Sequence, residues 1–407
     1  MGGIMKRAST ATVVNLRNFF APDSVAIAQA WDQRVGQLIV LISVAMEGNR
    51  TWKPDDGGLD VRQQKTWTRT RVDHHPDGYS DVNYVHFPLD TLRQLKRAKA
   101  DVVVSTELGV RSMMSAFHCA RSGWFGLRER RCQLVIAVST SPWIEASRSG
   151  WLRRIQRRLL LSQADRVTHH GPECKQWLID LGVPERRLAP FDYSADPTKI
   201  YTGELIRQSK DRVRVLTVGQ LIDRKGVREA LTTMMEVTRR SPELIVDWTL
   251  IGGGPLLEQL RAIPTPSNLT VDWRGNCDAQ QIRDAYRDHE IMFFPTRGDE
   301  WGLVVDEALH SGLVVIGNDR AQAVVTLIRN RQERPEQNGW VVEIDQADSL
   351  SDALNAFSRM GSDERLEMRL QARRSVADRT PEASADQITN LIDQMLVERR
   401  NGDSSHR

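Results

Sequence analysis

Between residues 213 and 316, short apolar runs alternate with amphipathic stretches, and this alternation constrains the fold more than any other feature of the chain. The β-branched run 213–218 ends at Gly219, and a helical pattern follows over 227–240. The apolar run 244–251 ends in Gly252-Gly253-Gly254-Pro255. Further apolar runs at 269–273, 291–294 and 313–316 are interleaved with helical patterns at 279–287, 303–310 and 321–329. Short runs that are apolar throughout predict strands covered on both faces, and helices between them predict βαβ units around a parallel sheet.

The first half carries the same signal less regularly. Strands are predicted at 11–16, 38–43, 102–105, 134–138 and 166–169. Residues 49–88 are polar, dotted with Trp and weakly periodic, which predicts loops and short edge elements. The stretch 194–211 holds Pro197 and Gly203, lacks periodicity and reads as an interdomain linker. A terminal helix is predicted at 382–398, with a disordered polar tail at 399–407. The expected fold class is α/β with two Rossmann-like domains: an acceptor-side domain at 1–200, a ligand-binding domain at 201–380, and 381–407 crossing back to the first. A cleft is expected between them, with ligands at the carboxyl ends of the strands.

The 56 basic and 53 acidic residues leave a formal charge of +3, which argues against a nucleic-acid binder. Cys119, Cys132, Cys174 and Cys277 form no Cys-x-x-Cys pair, so neither a disulfide framework nor a zinc site is expected, and a reducing compartment is the simpler reading. Residues 1–20 hold no apolar signal-peptide core, and Lys6 stands where a myristoylation signal needs Ser or Thr. The longest apolar stretch, 38–46, is about half of the ~18 residues that span a bilayer. A cytoplasmic protein is expected, with contact at a membrane surface left open.

The sharpest segment is Pro295-Thr296-Arg297-Gly298-Asp299-Glu300-Trp301-Gly302-Leu303-Val304-Val305-Asp306-Glu307-Ala308-Leu309-His310-Ser311-Gly312. It follows a predicted strand and opens a helix. Gly302 lets the backbone approach a ligand closely, and the N–H groups of Leu303 and Val304 point out of the helix N-terminus, where they favour a phosphate. Glu307 lies about one turn further on. A helix start with acidic first-turn residues is the plainer alternative.

This segment resembles the acidic-x7-Glu motif of the family 4 retaining glycosyltransferases, which have the GT-B fold. In that register Asp299 is the first acid and Glu307 the second, and an Asp-x-Trp-Gly variant belongs to the family pattern; whether Asp299 or Glu300 does the work stays open. The resemblance implies that the first acid contacts the donor sugar and the second holds the ribose hydroxyls. Val218-Gly219-Gln220-Leu221-Ile222-Asp223-Arg224-Lys225-Gly226 is similar to the family's Gly-Arg-x4-Lys-Gly loop, whose cations grip the pyrophosphate. Lys225 matches, whereas Gln220 replaces the Arg, and Arg224 is the candidate to compensate. Ile251-Gly252-Gly253-Gly254-Pro255-Leu256 is similar to the Gly-x-Gly-Pro turn, with glycines of mainly structural role, and Gly275-Asn276-Cys277 matches the loop that packs the base. In the first half, Ser105-Thr106-Glu107-Leu108-Gly109, the stretch 139–148 and Gly171 loosely resemble acceptor-side positions. Glu107 and Glu145 are the candidates there, against the commoner reading of helix-start acids. His169 and His170 read as an unligated surface pair.

Residues 148–161 read as a basic amphipathic helix, with Arg153, Arg154, Arg157 and Arg158 beside a stripe of Trp151, Leu152, Ile155 and Leu159. Such a stripe more often packs in a core with the arginines solvated; docking on an anionic membrane is the alternative. No Asp-x-Asp triplet occurs, and no metal or other cofactor is expected. The resemblance thus implies transfer of a sugar, with retention, from a nucleoside-diphosphate donor to a glycan, lipid-linked or small-molecule hydroxyl, in glycan, glycolipid or polysaccharide biosynthesis. The rivals are a non-catalytic sugar-nucleotide binder, motivated by Gln220, and a same-fold epimerase.

Overall fold

The computed structural model describes residues 10–50, 54–124, 132–146, 150–330 and 336–404. They form two compact units: one from 10–74, 81–194 and 379–404, the other from His75–Ser80 and Ala195–Asp378. Each is built around a parallel sheet, so both are Rossmann-like α/β domains.

The first unit runs β1 (Thr12–Arg17), α1 (Val25–Asp32), β2 (Gln37–Ile42), β3 (Asp60–Gln63), β4 (Thr66–His74), β5 (Ser80–Pro88), α2 (Thr91–Ala98), β6 (Val102–Thr106) and α3 (Val110–Trp124). It continues with β7 (Gln133–Val138), α4 (Pro142–Ala146), α5 (Trp151–Ser162), β8 (Arg166–His169), α6 (Gly171–Asp180) and β9 (Leu188–Pro190). Its main sheet has the order β3-β2-β1-β6-β7-β8-β9. Successive residues of β1 serve opposite faces: Val14 and Leu16 pack with Leu95, Cys119 and Leu178, whereas Val13 packs with Trp31, Ile388 and Ile392. Burial on both faces is why these strands are apolar throughout.

The second unit contains β10 (Val213–Val218), α7 (Val227–Arg240), β11 (Val246–Ile251), α8 (Leu257–Arg261), β12 (Leu269–Gly275), α9 (Ala279–Asp288) and β13 (Ile291–Phe294). Then come α10 (Leu303–His310), β14 (Val314–Asn318), α11 (Gln322–Leu327), β15 (Gly339–Val342), α12 (Ala347–Ser358) and α13 (Ser362–Arg374). The sheet order is β12-β11-β10-β13-β14-β15. One large core joins Trp248, Phe293, Met234 and Phe357 across it. The last helix, α14 (Pro381–Ser404), belongs to the first unit and packs Ile388, Leu391, Ile392 and Met395 into its core, with Arg34 bonded to Asp386 at 2.6 Å.

Several expectations need correction. Residues 49–88 are more ordered than their polarity suggests: β3 joins the main sheet, and β4 and β5, nine residues each, pair as a separate two-stranded sheet. Most of β4 is exposed, so it has no one-sided burial to impose a periodic pattern. The tail begins later than expected, because α14 continues to Ser404; residues 405–407 lie outside the described residues, as do the N-terminal positions Gly2 and Lys6. Cys119 and Cys132 are not apart: their sulfurs lie 3.4 Å from each other, both buried.

The segment read as a linker is strapped to the second unit. Arg365, Arg369 and Arg373 recur at one-turn spacing along α13. Arg373 donates to the carbonyls of Gly203 at 2.9 Å and Tyr201 at 3.0 Å, and Arg369 to those of Ile206 at 3.2 Å and Gly312 at 2.9 Å. Arg365 donates to the carbonyls of Lys210 at 3.3 Å and Arg212 at 3.2 Å. Arg365 and Arg369 are fully buried, where a guanidinium needs its donors filled.

His169 and His170 are buried, not a surface pair. His170 stacks on Tyr193 with ring centroids 4.2 Å apart, and its Nδ1–H donates to the carbonyl of Phe191. Burial pushes its pKa down to about 3, against the opposing pull of that bond and of Asp192. The folded state therefore stays neutral at His170 while the unfolded chain protonates near its ordinary value. The stability this confers is present above about pH 6.5 and is lost progressively as pH falls towards 3. Between about pH 7.5 and pH 5 the wild type is expected to lose roughly 2 kcal/mol through this group. Urea titrations at the two pH values should show that part of the loss missing in His170→Phe; an unchanged pH slope would remove His170 as its source.

Candidate functional site

In the second unit, three loops leave the carboxyl ends of β10, β11 and β13 and press against one another. A Cβ at position 252 would sit 1.9 Å from the Gly219 carbonyl oxygen, and one at position 254 would sit 2.3 Å from that of Leu221. The glycines of the 252–254 turn are thus required by the crossing of two backbones. Gly226, at φ 66°, faces the Pro295 carbonyl oxygen, which a Cβ would approach to 2.2 Å. Gly253 N–H donates to the Asn276 side chain at 2.8 Å, which ties in the loop after β12.

This crossing brings the sequence candidates together. The Lys225 ammonium bonds the Asp299 carboxylate and lies 5.5 Å from the centre of the Phe294 ring. Burial alone would raise the Asp299 carboxyl, but the charges of Lys225 and Arg224, with bonds from Lys225 and the Glu300 N–H, hold it below its ordinary range. Glu300 is exposed, so of the two candidate acids Asp299 is the one that turns inward to the cation. Arg224 donates to the Gly298 carbonyl at 2.8 Å, and its own carbonyl accepts from Arg297 N–H at 2.9 Å; it stitches the β10 loop to the β13 loop. Gln220 is half-buried on the same loop.

Gly302 begins α10 at φ 100°, packed against the Phe294 ring, and Leu303 and Val304, both half-buried, form the first turn. Glu307 is 3% exposed. It accepts the Tyr286 hydroxyl at 2.9 Å and lies 3.8 Å from the Lys199 ammonium, which is 3.4 Å from Asp196. Burial, then the Glu307 charge, pushes the Tyr286 hydroxyl well above its ordinary value, so it remains a donor. Sequence reading missed Tyr286 and Lys199. Tyr286 is a single aromatic in an amphipathic pattern, and Lys199 falls in an unpatterned segment.

The first-half candidates occupy different settings. Glu107 follows β6 directly at φ 64°, an uncommon conformation for a side-chain-bearing residue, and accepts from Ser139 N–H at 3.1 Å and from the Ser139 hydroxyl. It lines a small cavity with Asn15, Arg17, His170 and Tyr193. Glu145 is buried in an ion pair with Arg157 of α5. Ser147 and Arg148 of the motif, and Ser149 of the predicted basic helix, lie outside the described residues. Among the described residues no group of three or more His, Cys, Asp or Glu side chains could hold a metal ion.

Residues 212–359 match the family described as glycosyl transferases group 1. That match covers most of the second unit. Over 112 residues the chain is 30% identical to the sulfoquinovosyl transferase SQD2 of Arabidopsis thaliana, covering 28% of this chain and 21% of that protein. Over 241 residues it is 21% identical to the putative colanic acid biosynthesis glycosyltransferase WcaL of Escherichia coli (strain K12), covering 53% of this chain and 57% of that protein. The chain thus spans about a fifth of the first curated relative and little more than half of the second. Among solved structures, Anabaena Alr3699/HepE in complex with UDP and glucose matches with a TM-score of 0.65 at 12% identity, over 94% of this chain and 100% of that one. At that identity the likeness shows the fold, which is GT-B.

The loop crossing is testable through its glycines. Gly226→Ala is expected to destabilise the second domain by about 1–3 kcal/mol, since it combines a left-handed backbone with a clash on Pro295. Gly275, at φ 67°, faces open space, so Gly275→Ala should cost only the ~1 kcal/mol of its backbone conformation. Equal unfolding midpoints for the two variants would mean that the loops do not depend on this approach.

Proposed function

We propose that the chain is a family 4 glycosyltransferase that moves a sugar, with retention, from a nucleoside-diphosphate donor to a hydroxyl acceptor. The acceptor class is a glycan, a lipid-linked saccharide or a small molecule, and the setting is glycan, glycolipid or polysaccharide biosynthesis on the cytoplasmic side, with peripheral contact at a membrane. One observation carries the reading: Lys225 and Asp299 meet at the ends of β10 and β13, beside the N-terminus of α10, within the domain that matches the group 1 family.

In this reading the donor pyrophosphate lies between Lys225 and the N–H groups of Leu303 and Val304, with Gly219 and Gln220 beneath it. Negative charge grows on the leaving diphosphate as the glycosidic bond breaks. A fixed cation and the N-terminal end of a helix stabilise that charge more in the transition state than in the ground state. Asp299, held ionised, keeps Lys225 charged and in place and faces the donor sugar. Glu307 accepts the ribose hydroxyls through oxygens already oriented by Tyr286 and Lys199. Lys225 and the helix terminus then take the part a divalent ion plays elsewhere, and no metal is required. Glu107 is the acceptor-side candidate of this reading, since it lines a cavity. Glu145, committed to Arg157, serves the position of α5 instead.

A second reading, a sugar-nucleotide binder without turnover, is favoured by Gln220, which brings no charge, and by Arg224, whose guanidinium is engaged on Gly298. Release of nucleoside diphosphate from a panel of nucleotide sugars separates the two. The transferase predicts turnover with at least one donor, and Lys225→Gln should then lose about 2–4 kcal/mol of transition-state stabilisation, seen in kcat. The double variant Lys225→Gln, Asp299→Asn removes the half-buried carboxylate that Lys225→Gln leaves without its ammonium partner, and should restore the melting temperature without restoring turnover. Glu307→Gln should weaken nucleotide binding by about 10–100-fold while the fold survives. Near wild-type kcat in Lys225→Gln would place the phosphate grip elsewhere.

A further inference from the structure

The side of α5 that faces solvent is apolar. Trp151, Leu152, Ile155 and Leu159 are 72%, 65%, 47% and 64% exposed. At ~100° per residue they fall within an arc of about 100°. The opposite arc, Arg157, Leu160 and Leu161, is buried. The helix is fixed in this rotation. Arg157 pairs with Glu145 and lies 5.3 Å from the centre of the Trp177 ring, and Arg154 donates to the Asp180 carbonyl at 2.8 Å. The expectation that the stripe packs in a core is therefore overturned: an arginine points inward and the large apolar side chains point outward. Met113 and Phe117 on α3, exposed like the stripe, extend the patch, and Gln156 reaches Met113 Sδ at 3.3 Å.

Positive charge borders this surface. Arg154 and Arg158 are exposed along one flank of the stripe. Ser162 ends the helix on the stripe's side and lines an open groove of about 910 Å³. Arg166, Arg186, Arg187 and Arg399 line that groove against Asp165 and Glu398, so its wall is net basic.

We infer that this face of the first domain docks on an anionic phospholipid bilayer. The stripe enters the boundary between headgroups and acyl chains, and the flanking arginines meet lipid phosphates. Exposures of this size describe a ridge, which suits a fluid surface that needs no matching shape. A two-fold pairing with a second copy would instead bring the same basic flank onto itself. Among the described residues no helix is long and apolar enough to cross a membrane, so the contact lies on the surface. The inference specifies the peripheral contact proposed above and does not depend on sugar transfer, because binding is read without turnover.

The test is co-sedimentation of the full chain with vesicles of phosphatidylcholine alone or mixed with phosphatidylglycerol. The wild type should sediment with the mixed vesicles and be released by salt. Replacing Trp151, Leu152, Ile155 and Leu159 by Gln should cut the partition coefficient at least about ten-fold with an unchanged melting temperature, since these side chains are already in water. Arg154→Gln with Arg158→Gln should abolish the preference for the anionic lipid. Equal partitioning of wild type and the apolar variant would overturn the inference, as would a wild type that ignores both vesicle types. A dimer in the analytical ultracentrifuge that the four Gln substitutions dissociate, with no vesicle binding, would assign the face to a second copy instead.

Discussion

The carbonyl oxygen of Gly219 occupies the space that a side chain at position 252 would need, and much of the second domain's geometry follows from that crossing. Strands β10, β11 and β13 are parallel neighbours, so their carboxyl ends emerge together. Loops of ordinary composition would splay apart there. Glycines at 226, 252 and 254 instead let backbone lie on backbone, and this contact carries Lys225 from the β10 loop to Asp299 on the β13 loop. An ion pair at that depth persists because the loops hold both partners in place, with Arg224 bonding the same two segments through the Gly298 carbonyl.

Helix α10 is fixed at its C-terminal end by chemistry matched to its dipole. Its first turn opens at Gly302 beside the Lys225–Asp299 pair. Its last carbonyls, from His310, Ser311 and Gly312, receive the guanidinium groups of Arg369 and Arg373. The chain that follows the first domain lies over the same end: Tyr201 N–H donates to the Ser311 hydroxyl at 2.9 Å, and Leu205 packs on Gly312. Lys199, a few residues earlier, reaches Glu307 in the middle of the helix. The segment read as a linker is therefore in contact with Glu307, the residue proposed to hold the ribose.

What was legible in the sequence was what burial on two faces dictates. The runs 213–218 and 291–294 and the helices 227–240 and 303–310 coincide with β10, β13, α7 and α10, because a strand covered on both sides and a helix covered on one have distinct apolar periods. Gly302 was legible as the opening of a helix after such a strand, whereas Lys225 and Asp299 were picked out by the resemblance to the family 4 motifs. The pairing of Lys225 with Asp299, 74 residues apart, was not legible, since no local pattern records which loops touch. Tyr286 and Lys199 were missed for the same reason, as was the contact of Cys119 with Cys132. The strands β4 and β5 were misread because an exposed ribbon has no buried side to impose alternation.

Helices α5 and α13 carry similar arginine spacing, and both were open to being read as solvated. In α13 the arginines face inward because the carbonyls of 201–212 and of the α10 terminus accept from them, and Glu290 stands 3.6 Å from Arg365. In α5 Arg157 faces inward, where Glu145 and the Trp177 ring receive it. A guanidinium can be buried only where such acceptors exist, so their placement, and not the apolar stripe, decides how each helix rotates. For α13 this closes the surface. For α5 it leaves Trp151, Leu152, Ile155 and Leu159 largely in water, each forgoing part of the roughly 1.5–3 kcal/mol that full burial of a large apolar side chain supplies. No rotation of α5 recovers that energy without stranding the Arg157 charge, so it is recovered only when something apolar comes to the helix from outside.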